Sequence, residues 1–117
     1  MTEHAIQSAI MSYLDKALPA SYRAFAIPNG GKRDRITGAI MKREGVKAGV
    51  PDIAIVRNGG AVAFIEVKTA KGRLSNSQTE WRDWCGANSV PWALCRGIGD
   101  VQAALLDWNV PVKARVA

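Results

Sequence analysis

Two apolar runs joined by Asn58-Gly59-Gly60 constrain this chain more than any other feature. The first opens at Val50-Pro51-Asp52 and continues through Ile53-Ala54-Ile55-Val56. The second is Ala61-Val62-Ala63-Phe64-Ile65-Glu66-Val67-Lys68. Both are rich in β-branched residues, and a short Asn-Gly turn between such runs specifies a β-hairpin. Folding back at 58–60 lays the end that holds Asp52 beside the end that holds Glu66. Side chains alternate along a strand, so Glu66 and Lys68 leave one face and Val67 enters the core on the other. An isolated Glu-x-Lys is ordinarily a solvated surface pair. Here the run before it is apolar enough to be buried, and charges at its end need a reason.

The hairpin lies within an alternating pattern. Residues 3–18 place Ile6, Ile10, Tyr13, Leu14, Ala17 and Leu18 on one helical face, with Thr2 as N-cap and Pro19 as the stop. Residues 22–27 read as a strand ending at Pro28-Asn29-Gly30-Gly31. The segment 32–47 reads as a loop with a short helix over 37–43. Residues 75–87 read as a helix with Trp81, Trp84 and Cys85 on one side; Ser75 and Gln78 stand at capping-box spacing. Residues 91–95 form a last strand, and Asp100 is expected to cap a final helix reaching about residue 108. Residues 110–117 read as a loose tail or an edge segment. The order implies an α/β fold with a mixed central sheet flanked by helices, in one domain over residues 1–117.

Charge narrows the class of partner. Lys and Arg number 16 against 10 acidic residues, a net charge of +6, and the pI is near 9.8. A polyanion is the natural counterpart. Six basic residues fall between 32 and 47 (Lys32, Arg33, Arg35, Lys42, Arg43, Lys47), interleaved with glycines that let backbone amides approach phosphates. Lys71 and Arg73 extend the set. Cys85 and Cys95 with a single histidine cannot make a zinc centre, so the expectation is two buried, reduced thiols. No signal peptide is visible, and no apolar run approaches the ~20 residues that span a bilayer. An intracellular protein without membrane contact is expected.

Two carboxylates and a lysine at one end of a sheet suggest a chemistry. Close carboxylates repel unless a cation lies between them. Oxygen ligands suit Mg²⁺ or Mn²⁺, and a neighbouring lysine can orient or deprotonate water, or neutralise charge developing on a phosphate.

With those residues on the page, the chain resembles the VRR-NUC family of the PD-(D/E)XK nuclease superfamily. The resemblance runs through Glu3-His4-Ala5-Ile6-Gln7, Pro28-Asn29-Gly30-Gly31, Gly45-Val46-Lys47-Ala48-Gly49-Val50-Pro51-Asp52, Ile65-Glu66-Val67-Lys68-Thr69, then Gly72-Arg73-Leu74-Ser75 and Gln78. It implies a restriction-endonuclease-like core. It also implies a metal bound by Asp52, Glu66, the Val67 carbonyl and Glu3, with Lys68 assisting the attacking water and Gln78 orienting Lys68 or the substrate. His4 is a weaker fit than Glu3. The implied activity is Mg²⁺- or Mn²⁺-dependent DNA hydrolysis by a homodimer selective for branched DNA such as Holliday junctions, of phage or mobile-element type in a bacterial cytoplasm. Alternatives are a flap, fork or restriction-like nuclease, or a non-catalytic DNA-binding module on the same fold. Helix capping for Gln78, a favourable helix-end acid for Glu3, and packing for Trp81 and Trp84 (against stacking on bases) remain open as structural roles.

Overall fold

A computed structural model describes residues 1–28 and 35–113. Its elements are α1 (Glu3–Ala17), β1 (Tyr22–Ala26), α2 (Arg35–Arg43), β2 (Ile53–Arg57), β3 (Val62–Val67), α3 (Asn76–Ala87), β4 (Trp92–Cys95) and α4 (Ile98–Asp107). The four strands form one sheet in the order β1-β2-β3-β4. β1, β2 and β3 run antiparallel in turn, and β4 joins β3 in parallel, so the sheet is mixed as expected.

The hairpin register is the one the turn dictates. Val56 faces Val62 and Ile53 faces Ile65. The turn needs its two glycines, because Gly59 and Gly60 take φ values of +90° and +93°. Continuing the register one step places Asp52 opposite Glu66.

One face of the sheet carries the main core. Ile53, Ile55, Ala63, Ile65 and Val67 meet Ile6, Ile10 and Leu14 from α1 and Val101 and Leu105 from α4. Each fully buried aliphatic side chain contributes roughly 1.5–3 kcal/mol. Thr2 caps α1 through a bond from the Ala5 N–H, and Ser75 and Gln78 form the reciprocal capping box on α3. Cys85 and Cys95 are buried and unbridged. Burial raises both thiols, and with Asp100 nearby Cys95 is pushed up to about 12, so neither is a ready nucleophile.

Three local expectations are corrected. Asp100 does not cap α4: the helix begins at Ile98 behind Gly97, with no side-chain cap, and the Asp100 carboxylate reaches back to accept the Arg96 N–H at 2.8 Å. Trp84 does not pack into the core; it is 54% exposed and touches Trp81 edge-on. The helix in the basic segment starts at Arg35, two residues early, and buries none of its side chains.

Candidate active site

Asp52 is the most firmly held residue at this end of the sheet. Its N–H donates to the Ile65 carbonyl at 3.1 Å and its carbonyl accepts from the Ile27 N–H at 2.8 Å, so the backbone is tied on both sides. Its side chain is tied as well: Oδ2 accepts the Val67 N–H at 2.8 Å. In an extended strand a residue's N–H and C=O leave on the same edge, so the Val67 carbonyl lies on the edge that Asp52 faces.

Glu66 and Lys68 leave β3 and its end on the face opposite the main core, and both are buried, at 1% and 9% exposure. Burial and the adjacent Asp52 carboxyl, to which Glu66 is hydrogen-bonded, raise the Glu66 pKa from 4.5 to about 9. Lys68 opposes that shift and Glu3 adds slightly to it, which places both charges within electrostatic reach. Glu66 Oε2 is buried and, among the described residues, has no hydrogen-bond partner. An orphaned carboxyl oxygen in the interior costs free energy unless something binds it.

A cleft of about 680 Å³ opens at Asp52, lined also by Glu3, His4, Gln7, Ser75 and Gln78 among others; Glu66 and Lys68 lie behind Asp52 and are not in its lining. Glu3 and His4, consecutive in the first turn of α1, both reach its rim. The amino-terminal end of α3 borders the cleft, and its partial positive charge favours an anion there. The Gln78 side chain caps α3, accepting the Ser75 N–H through Oε1 at 2.8 Å, while also lining the cleft. The apolar cavity at the opposite, hairpin end of the sheet, about 510 Å³, has no carboxylate in its lining.

Asp52 and Glu66 offer the hard oxygen donors that a divalent cation takes. Among the described residues there is no cluster of three or more His, Cys, Asp or Glu side chains placed as ligands. A two-carboxylate site nonetheless fits Mg²⁺, which keeps several waters and usually needs only one or two protein carboxylates.

Two supports for this site were not visible in the sequence. Gly49, at φ +79°, presses against the start of α3; a Cβ there would lie 2.5 Å from the Ser77 carbonyl oxygen and 2.8 Å from the Gln78 nitrogen. Trp81 ties the same loop from the side, its Nε1 donating to the Ala48 carbonyl at 3.2 Å while its ring meets Phe64. Gly49→Ala is therefore strained both by φ and by backbone contact. A loss of roughly 2–3 kcal/mol is expected in urea unfolding. A loss below about 0.5 kcal/mol would show that the loop and α3 separate easily.

The second support is Arg96. Its Nη1 donates to the carbonyls of Thr69 (2.5 Å), Gly72 (2.8 Å) and Ala70 (3.2 Å), fastening the loop that follows Lys68. A Cβ on Gly72 would sit 3.3 Å from both Cβ and Cδ of Lys68, so this loop lies along the lysine stem. Arg96 is thus a positioning residue. Arg96→Ala is expected to lower kcat about tenfold with KM changed less, and Arg96→Lys to recover part of it. A rise in KM with kcat unchanged would instead mark Arg96 as a substrate contact. No local motif signals either support; each joins residues over 20 positions apart.

Of the basic residues, Arg35, Lys42, Arg43, Lys47, Lys71 and Arg73 are all exposed. Among the described residues none of these six is held in an ion pair. Lys32 and Arg33 lie outside the described residues.

A mixed sheet flanked by helices, with Asp52, Glu66 and Lys68 gathered at the end of its central hairpin and Asp52 bordering a cleft, is the architecture of a nuclease-like α/β domain. The profile of the VRR-NUC domain family matches residues 3–98, and the chain belongs to that family of nuclease-like, DNA-acting domains. A comparison with curated protein sequences finds no match. Two solved structures share the fold. One, described as a VRR_NUC domain protein, superposes with a TM-score of 0.71 at 21% identity, covering 92% of this chain and 88% of its own. Another, described as a VRR_NUC domain, gives 0.60 at 14% identity, covering 92% and 97%. Among the described residues no helix is long and apolar enough to cross a membrane.

Proposed function

We propose that the protein is a Mg²⁺- or Mn²⁺-dependent endonuclease that hydrolyses phosphodiester bonds in branched DNA such as Holliday junctions, working as a homodimer. The observation that carries the reading is half-buried Asp52 against buried Glu66, whose Oε2 is unpartnered among the described residues, with Lys68 within electrostatic reach. Asp52 and Glu66 would hold the cation, with the Val67 carbonyl and Glu3 as further oxygen donors. A bound divalent ion supplies Lewis-acid polarisation of the phosphate and a more acidic water.

The protein's own residues do the rest. Asp52 is fixed by three hydrogen bonds, so the reacting phosphate meets a preorganised carboxylate. Lys68, sheltered from water and braced by the 69–72 loop, stabilises negative charge at the phosphate or takes a proton from the attacking water. Gln78 at the rim orients substrate near Lys68. Arg35, Lys42, Arg43, Lys47, Lys71 and Arg73 contact phosphates, with Lys32 and Arg33 expected to join them, so affinity should fall steeply with salt. Binding through phosphate contacts favours recognition of shape over sequence, and a dimer would present two sites to one junction.

Labelled four-way junction, flap, fork and linear duplex, each with Mg²⁺ or Mn²⁺, test this directly. Preferential cleavage of the junction is expected. Inactivity on every DNA with either ion would reject the enzyme reading, and a monomer by light scattering at micromolar concentration would reject the dimer.

A further inference from the structure

The geometry points to α2 as an apolar wedge that enters DNA where base stacking is interrupted, with Ile36 and Ile40 as its tip. This rests on the DNA-acting reading above and adds a specificity element away from the metal site.

α2 is amphipathic in an unusual direction. It buries none of its residues and lies outside the packed layers. Its half-buried positions are Gly38 and Met41. At 100° per residue these share one side of the helix, and Ile36, Ile40 and Arg43 fall roughly opposite. The outward side is the apolar one: Ile36 is 75% exposed and Ile40 42% exposed. A helix normally turns such residues toward the core.

The charges around the two isoleucines identify what covers them. Arg43 shares their face and Arg35 borders it, while Lys42 falls nearer the Gly38 side. A second copy docked there would bring two cations against two. Two isoleucines per chain also fall far short of the roughly 1,000 Å² that a stable interface needs. A polyanion answers the charge, and among polyanions a nucleic acid also has an apolar interior to offer. Aliphatic side chains carried between basic ones insert at unstacked base steps, where opening costs least. A branch point supplies such a step. The placement is suitable, since the segments entering and leaving α2 border the active cleft through Ile27, Pro28, Ala48 and Gly49.

The test is binding in EDTA, without divalent metal, to a four-way junction carrying 2-aminopurine at the branch and to linear duplex. Wild type should raise 2-aminopurine fluorescence as it binds. Ile36→Ser/Ile40→Ser should lose about tenfold in junction affinity, lose the fluorescence rise, and keep the slope of affinity against salt. The loss on linear duplex should be smaller. Ile36→Leu/Ile40→Leu should retain both signals. Both sites are exposed, so an unchanged thermal midpoint will verify folding of the serine variant.

Junction affinity and fluorescence unaffected by the serine changes would overturn the wedge. So would a wild-type dimer that becomes a monomer in the serine variant, which would assign the face to a second copy. Failure of wild type to bind any DNA overturns both readings. Isoleucine-dependent binding by a protein that cleaves no DNA with either Mg²⁺ or Mn²⁺ supports the wedge and rejects the catalytic reading.

Discussion

Lys68→Met and Asp52→Asn proteins are expected to fold like the wild type and to lose DNA cleavage by roughly 10³-fold or more. The substitutions are chosen for shape. Lys68 is 9% exposed, so methionine keeps the buried stem packed while removing the ammonium. Asparagine at 52 still presents an oxygen to the Val67 N–H, which alanine would leave unsatisfied at a cost of about 1–3 kcal/mol. The two losses should differ in kind. Asp52→Asn removes a negative donor from the cation site, so raising Mn²⁺ should recover part of the activity. Lys68→Met removes a charge that acts on the phosphate or the water, and added metal should recover little. It also withdraws a cation that opposes the upward shift of Glu66, so metal binding by this variant should need a higher pH. Single-turnover cleavage of the preferred DNA, with circular dichroism as the check on folding, separates these effects. Activity within tenfold of wild type in the lysine variant would remove Lys68 from the chemistry.

What the sequence discloses here is what local rules govern. The turn at 58–60 demands glycine conformations, and once the hairpin is granted the register follows by counting, so Asp52 lands opposite Glu66. Ser75 and Gln78 satisfy each other within one helical turn, and the capping box appears as spaced. The apolar face of α1 has a 3.6-residue period and buries accordingly.

Elsewhere the deciding partner is distant in sequence. Nothing near Arg96 announces that its guanidinium will hold carbonyls 24 to 27 residues earlier. The fit of Gly49 against Ser77 depends on where α3 docks. Asp100 looked like a cap because a capping residue and a first-turn acid share one composition; the helix start two residues earlier decides between them. Periodicity also identifies an apolar side of a helix without saying which way it faces. In α1 that side faces the core and in α2 it faces out.

Replacing Glu66 by glutamine is expected to stabilise the metal-free protein at neutral and alkaline pH while abolishing its response to metal. The sign follows from proton binding. In the unfolded chain Glu66 loses its proton near its ordinary 4.5, whereas in the folded protein it holds that proton to about 9. Between those values the folded state binds more protons than the unfolded one, so the contribution of this group to stability falls as pH rises. It is fully favourable below 4.5 and fully lost above 9. At pH 7 the shortfall is on the order of 3 kcal/mol, from ~1.4 kcal/mol for each pH unit above 4.5. Glutamine has nearly the same shape, can donate to Asp52 as the protonated acid does, and never ionises. Glu66→Gln should therefore match wild type near pH 4.5 and exceed it increasingly toward pH 9 in chelator. A divalent cation reverses the balance for wild type alone, because it replaces the proton and binds the unpartnered Oε2. Millimolar Mn²⁺ at pH 8 should raise the wild-type melting temperature, with protons released on binding, and leave Glu66→Gln unmoved. A variant less stable than wild type at pH 8 in chelator would refute the buried-acid account. An equal rise with Mn²⁺ in both proteins would place the cation away from Glu66. The instability that the carboxyl imposes on the empty fold is, on this argument, the same property that reserves the site for a cation.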